Sequence, residues 1–174
     1  MIRITVCSFL AFLPILALSG CSKESTTSQA SNPEEEIKAA WGSFQEAVKA
    51  KDPEKIWGLL DADTQAGAEN AAKSLREKYA KATPAEQAEL QKKYVLSGEE
   101  IATIKGVGYL KSKEFAHPYR EVPDSKMTKI DMKGDKAKLH YVEPDNDKED
   151  LDLVRKDGKW KFVLPMTKVS KGKD

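Results

Sequence analysis

Cysteine is nearly missing from this chain: Cys7 and Cys21 are the only two among 174 residues, and none follows position 21. Whatever folds beyond that point does so without a disulfide, a cysteine zinc ligand or a cysteine nucleophile. Histidine is as scarce, with His117 and His140 alone, so a zinc site would need both together with carboxylates. Net charge is also lacking, since 29 Lys and Arg stand against 28 Asp and Glu, a formal +1. That balance gives no long-range steering, and no nucleic-acid partner is expected. No apolar run reaches the roughly 20 residues of a membrane-spanning helix. There is no Gly-x-Ser-x-Gly elbow, and Gly106-Val107-Gly108 lacks the third glycine and the preceding strand of a dinucleotide site. No cofactor is therefore expected, and the absence of internal repeats argues against a solenoid.

The N-terminus carries the clearest pattern. Arg3 precedes an apolar stretch from Ile4 to Leu18, interrupted only by Thr5, Ser8 and Pro14, and Leu18-Ser19-Gly20-Cys21 follows. The stretch has the charge and length of a signal-peptide core, and its end resembles the lipobox of bacterial lipoproteins. The resemblance implies a lipoprotein signal peptide over residues 1–20, cleavage before Cys21, and acylation of that cysteine, which anchors the chain to a lipid bilayer. Ordinary cleavage nearby or an uncleaved helix are the alternatives. Two or three acyl chains make such an anchor stable where one holds only marginally. Cleavage removes one positive charge, Arg3, and no acid, which takes the balance from +1 to zero. Ser22 stands where an Asp commonly marks inner-membrane retention, so the expected location is the cell envelope, at the outer membrane facing the periplasm. Residues 21–32 then comprise the lipidated cysteine and a polar Ser/Thr-rich tether. As a flexible chain the tether spans roughly 17 to 20 Å.

Residues 33–174 read as a single α+β domain, helices first. Asn32-Pro33-Glu34-Glu35 supplies a cap, a proline at the first helical position and a capping-box-like glutamate. Ile37, Ala40, Trp41, Phe44, Ala47 and Val48 follow on one helical face. Asp52-Pro53 starts a shorter helix with Ile56, Trp57, Leu59 and Leu60, and a third begins near Thr64. Thr83-Pro84-Ala85-Glu86 and Ser97-Gly98-Glu99-Glu100 open two more. Between Lys105 and Ser125 the pattern is irregular, and turns are expected with one helical turn near Leu110 to Phe115.

From Met127 the period changes to two. Ile130 and Met132, Leu139 and Tyr141, Leu151 and Leu153, then Trp160, Phe162 and Leu164 alternate with polar residues as half-buried antiparallel strands do. Connections at Lys133-Gly134-Asp135, Pro144 to Lys148 and Asp157-Gly158 predict a four-stranded meander with helices on its apolar face.

Helix one with Trp41 and Phe44, the phrase Ala50-Lys51-Asp52-Pro53 leading to Ile56-Trp57-Gly58-Leu59-Leu60, and the terminal hairpin Val154 to Phe162 resemble the nuclear-transport-factor-2-like superfamily. The likeness is to its small bacterial lipoproteins of unknown function. It implies a curved antiparallel sheet wrapped around the N-terminal helices as a cone. The superfamily holds isomerases, dehydratases and noncatalytic modules, so the fold does not select among them.

Of the residues that could bear chemistry, Asp61 and Asp63 read as helix-end and cap residues rather than catalytic acids. His140 alternates opposite Leu139 and Tyr141 and faces away from the core. Asp145, Asp147, Glu149, Asp150 and Asp152 crowd one hairpin, but Asp150 occupies the EF-hand glycine position, so a solvated turn is preferred to a calcium loop. Lys126, Lys129, Lys133, Lys136 and Lys138, with Lys168, Lys171 and Lys173 at the tail, read as solvated exterior. Trp41, Phe44, Trp57, Tyr141, Trp160 and Phe162 are core residues or, if the cone is open, the lining of an apolar pocket. The functional expectation is a noncatalytic binding or interaction module whose partner is an envelope protein or a small apolar ligand. A small-molecule enzyme of isomerase or dehydratase type is the alternative.

Overall fold

A computed structural model describes residues 32–166. The readings of the signal peptide, of Cys21, of tether residues 22–31 and of Lys168, Lys171 and Lys173 lie outside the described residues.

Helix α1 (Pro33–Ala50) starts where the Asn32 side chain accepts the Glu34 N–H at 3.1 Å, with Pro33 at the first helical position. The expected glutamate of a capping box turns the other way: Glu35 accepts from Lys38 at 2.8 Å. Ile37, Trp41, Phe44 and Ala47 form its buried face. Lys51 ends the helix at φ 53°, and its N–H donates to the Ala47 and Val48 carbonyls. Asp52 then caps α2 (Pro53–Leu59) by accepting from the Lys55 N–H.

Helix α3 (Ala62–Lys81) begins two residues before Thr64 because Asp61 is its cap, accepting the Asp63 and Thr64 N–H groups at 3.3 and 3.0 Å. Helices α4 (Pro84–Tyr94) and α5 (Gly98–Thr103) each carry a complete reciprocal capping box, Thr83 with Glu86 and Ser97 with Glu100. The 105–125 stretch is more helical than its composition suggests, with α6 (Gly106–Tyr109), α7 (Lys113–Ala116) and 3₁₀ turns at His117–Tyr119 and Val122–Asp124. The physical reason is local. Ser112 caps α7 by accepting the Phe115 N–H, and Pro118 and Pro123 sit at the starts of the 3₁₀ turns, where a missing N–H leaves no bond unmade.

Gly106 at the start of α6 has a packing role. A Cβ at Gly106 would lie 2.8 Å from both the Trp57 ring and the Glu69 carboxylate, so the absent side chain lets α6 close onto α2 and α3.

Strands β1 (Lys126–Lys133), β2 (Lys136–Val142), β3 (Lys148–Lys156) and β4 (Lys159–Val163) form an open antiparallel meander in chain order. Asp157 and Gly158 hold φ 49° and 73° at the last turn, the two positive values that a type I′ hairpin requires. The chain is thus α+β, with helices packed on one face of the sheet. Leu139, Tyr141, Leu151, Leu153, Trp160 and Phe162 meet α1 in the main core, and a smaller cluster joins Ala72 and Leu75 of α3 to Leu90, Leu96, Ile101 and Ile104. Met132, read as an inward position, is 46% exposed, because its pair with Ala137 stands next to the hairpin turn on the edge strand.

Candidate functional site: an apolar groove with a lysine rim

The six candidate aromatics are drawn together with little space between them. Phe44 stacks on Phe162 at 4.6 Å between ring centroids, Trp41 meets Tyr141 at 5.1 Å, and Trp160 is 5% exposed. Trp57 is half-buried and lies against Gly106.

The apolar cleft lies beside them, between the α1–α2 corner and the 110–124 segment, with a volume of about 580 Å³. One wall comes from Val48, Pro53 and Ile56, which the αL residue Lys51 and the Asp52 cap bring around the corner. The other comes from Leu110, Phe115, Tyr119 and Pro123. That second wall is pinned by Gln45 of α1, whose Nε2 donates to the Val122 and Ser125 carbonyls, each at 2.9 Å. Phe115 and Tyr119 contact at 5.2 Å, and Tyr119 leans edge-on to Phe44 at 6.1 Å, so the groove wall is continuous with the core. Burial pushes the Tyr119 hydroxyl up to about 12, which keeps it a neutral hydrogen-bond donor. Lys49, Lys51, Lys111 and Arg120 stand around the groove with one acid, Asp124.

Arg120 is engaged elsewhere as well: one guanidinium nitrogen is 2.7 Å from Glu121, and another meets His117 Nδ1. His140 lies on β2 with its Nε2 3.0 Å from Asp131, on the polar side of the sheet as expected. The two histidines thus have separate partners.

The acidic hairpin is divided. Asp150 and Asp152 both pair with Lys138 across the sheet, and Asp145 accepts the Asp147 N–H within the turn. Asp145 instead gathers with Glu121 and Glu143, one oxygen of each within 4.8 Å of the others. This is the one group of three carboxylate or imidazole ligands among the described residues. Burial, followed by the charges of Glu121, Asp145 and Glu149, raises the Glu143 carboxyl above its ordinary value. Sequence reasoning missed this cluster because Glu121 is distant in the chain. It missed the groove because the 110–124 segment carries no periodicity; Phe115, Tyr119 and the lysines flanking Ala50 were its only signals.

Comparison with protein-family models, curated proteins and solved structures found no match.

Proposed function

We propose that this chain is a membrane-anchored exported lipoprotein whose folded part is a noncatalytic binding module of the cell envelope, at the outer membrane facing the periplasm. The observation that carries the binding half of this reading is the groove: an apolar cleft of about 580 Å³ with charged residues at its mouth. Its size falls within the roughly 300–1,000 Å³ of small-molecule sites, and its apolar walls suit such a ligand. The anchoring half rests on Leu18 to Cys21 and on the polar stretch after them.

In this reading residues 33–174 are one domain of nuclear-transport-factor-2-like type. Helices followed by a meander support that assignment, as does the terminal Asp-Gly hairpin. Two molecules on one membrane reach effective concentrations of millimolar order through short flexible links, so a modest contact suffices for function. A buried carboxylate with a raised pKa inside the apolar cleft would favour an isomerase or dehydratase reading. Glu143, the carboxyl raised by burial, is not among the cleft's lining residues.

Intact mass and native mass spectrometry of the chain isolated from its own cells test both halves. The expected results are a mature chain starting at acylated Cys21 and a co-purifying ligand or partner. An unmodified Cys21 would remove the anchoring half. Turnover of a small molecule by the purified chain would replace the binding half with the enzyme reading.

A further inference from the structure

The floor of the groove restricts what can enter it. The side chains of Val48, Pro53, Ile56, Leu110, Phe115 and Pro123 offer neither hydrogen-bond donor nor acceptor, and Tyr119 is the one wall residue that carries a hydroxyl. A ligand group seated among them must therefore be hydrocarbon, since a polar group there would lose its hydration without replacement. The mouth imposes the opposite requirement. Lys49, Lys51 and Lys111 are exposed and form no salt bridge among the described residues, against the single acid Asp124. Hydrocarbon within and anion at the rim describe an acidic amphiphile. The groove is a single cleft of about 580 Å³, and one hydrocarbon chain is the occupant assigned to it. A fatty acid supplies that chain whole, whereas a diacyl lipid would leave a second chain exposed at about 0.8 kcal/mol for each CH₂.

We propose that the groove binds a fatty-acid anion, its hydrocarbon chain between the α1–α2 corner and the 110–124 segment and its carboxylate at Lys49, Lys51 and Lys111. This rests on the binding-module reading above and names its ligand class.

Photolabelling tests it on the full chain as its cells make it, reconstituted in phosphatidylcholine vesicles with a diazirine-bearing hexadecanoate. The adducts are mapped by peptide mass spectrometry. They should concentrate on peptides covering residues 48–56 and 110–123, and excess unlabelled hexadecanoate should compete them away. Labelling should fall by about five-fold or more, equivalent to roughly 1 kcal/mol, in each of two variants. One is Ala116→Trp, which fills the groove from an exposed position; the other is the triple Lys49→Glu, Lys51→Glu, Lys111→Glu. Both should keep the parent's thermal midpoint. The proposal is overturned by adducts spread without preference, by labelling that neither variant changes, or by equal labelling from a trimethylammonium amphiphile of the same chain length. Stronger groove labelling from a photoreactive phosphatidylglycerol would assign the chain to the bilayer and also overturn it. If another class of molecule co-purifies with the chain and blocks the groove, the binding-module reading stands and the fatty acid falls.

Discussion

Thr64 and Leu164, 100 residues apart, are joined as if they were neighbours in a sheet: the Leu164 N–H donates to Thr64 Oγ1 at 3.0 Å, and that hydroxyl donates back to the Leu164 carbonyl at 3.4 Å. A single side chain at the start of α3 thus satisfies both backbone groups of the residue that follows β4, at a site where Thr64 and Leu164 are each 3% exposed. Together with the Asp61 N–H donating to the Phe162 carbonyl at 3.0 Å, it fastens the α2–α3 junction to the edge of the sheet.

Thr64→Val keeps the shape and removes both bonds, leaving the Leu164 N–H buried without an acceptor. The expected loss is about 1–3 kcal/mol, with Thr64→Ser losing less. Urea denaturation checks it, and equal midpoints for parent and Val variant would sink the assignment.

Trp160 pairs with Arg155 across the last hairpin and turns its ring into the main core. Trp160→Ala should cost roughly 3–5 kcal/mol, the range for truncating a buried aromatic. An unchanged midpoint with an unchanged denaturant slope would contradict the placement.

The two capping boxes predict an acid-dependent loss of stability. Backbone and side-chain hydrogen bonds from Thr83 lower the Glu86 carboxyl below its ordinary value, and those from Ser97 do the same for Glu100. A carboxyl depressed by folding contributes stability that is fully present above its unfolded value near 4.5 and lost as pH falls through the folded one. Glu86→Gln with Glu100→Gln retains the box geometry without the titration. Its thermal midpoint should therefore fall less between about pH 5 and pH 3 than that of the parent. Parallel pH profiles would refute the linkage.

Glu143 carries the opposite sign. Its carboxyl is raised in the folded chain, first by burial and then by Glu121, Asp145 and Glu149, while Arg120 opposes the shift. The folded state holds this proton more tightly, so stability is lost as pH rises from the unfolded value through the folded one. Glu143→Gln should raise the thermal midpoint at neutral pH and leave it nearly unchanged at about pH 3, where the carboxyl is protonated in both states. A lower midpoint at neutral pH would show that the carboxylate has a stabilising partner.

The elements legible in the sequence are those whose signals are local. Asn32-Pro33, Asp52-Pro53, Thr83 with Glu86 and Ser97 with Glu100 each announce a helix through groups two or three residues apart, and each does start one. The strands were equally plain, because one polar face gives a period of two that survives reading one residue at a time. What the sequence hid depends on distance along the chain. The irregular stretch that holds Pro118 and Pro123 reads only as turns, yet each proline opens a 3₁₀ turn, and Gln45, about 80 residues earlier, holds the second of them in place. The groove exists only once that segment is pinned against the α1–α2 corner. Phe115 and Tyr119 gave no periodic signal because the two turns that carry them are too short to repeat.

The sheet has two edges, and they are finished differently. Leu60 and Asp61 cover β4, which leaves β1 as the strand from which the ladder could grow. There the register shifts between Met127 and Lys129, Thr128 spends its hydroxyl on the His140 carbonyl, and Lys126, Lys129 and Lys133 stand exposed along the strand. A bulge and a row of lysines are poor templates for an incoming strand. An edge finished this way resists pairing with the same edge of another copy, so a chance encounter between two copies does not grow into a shared sheet.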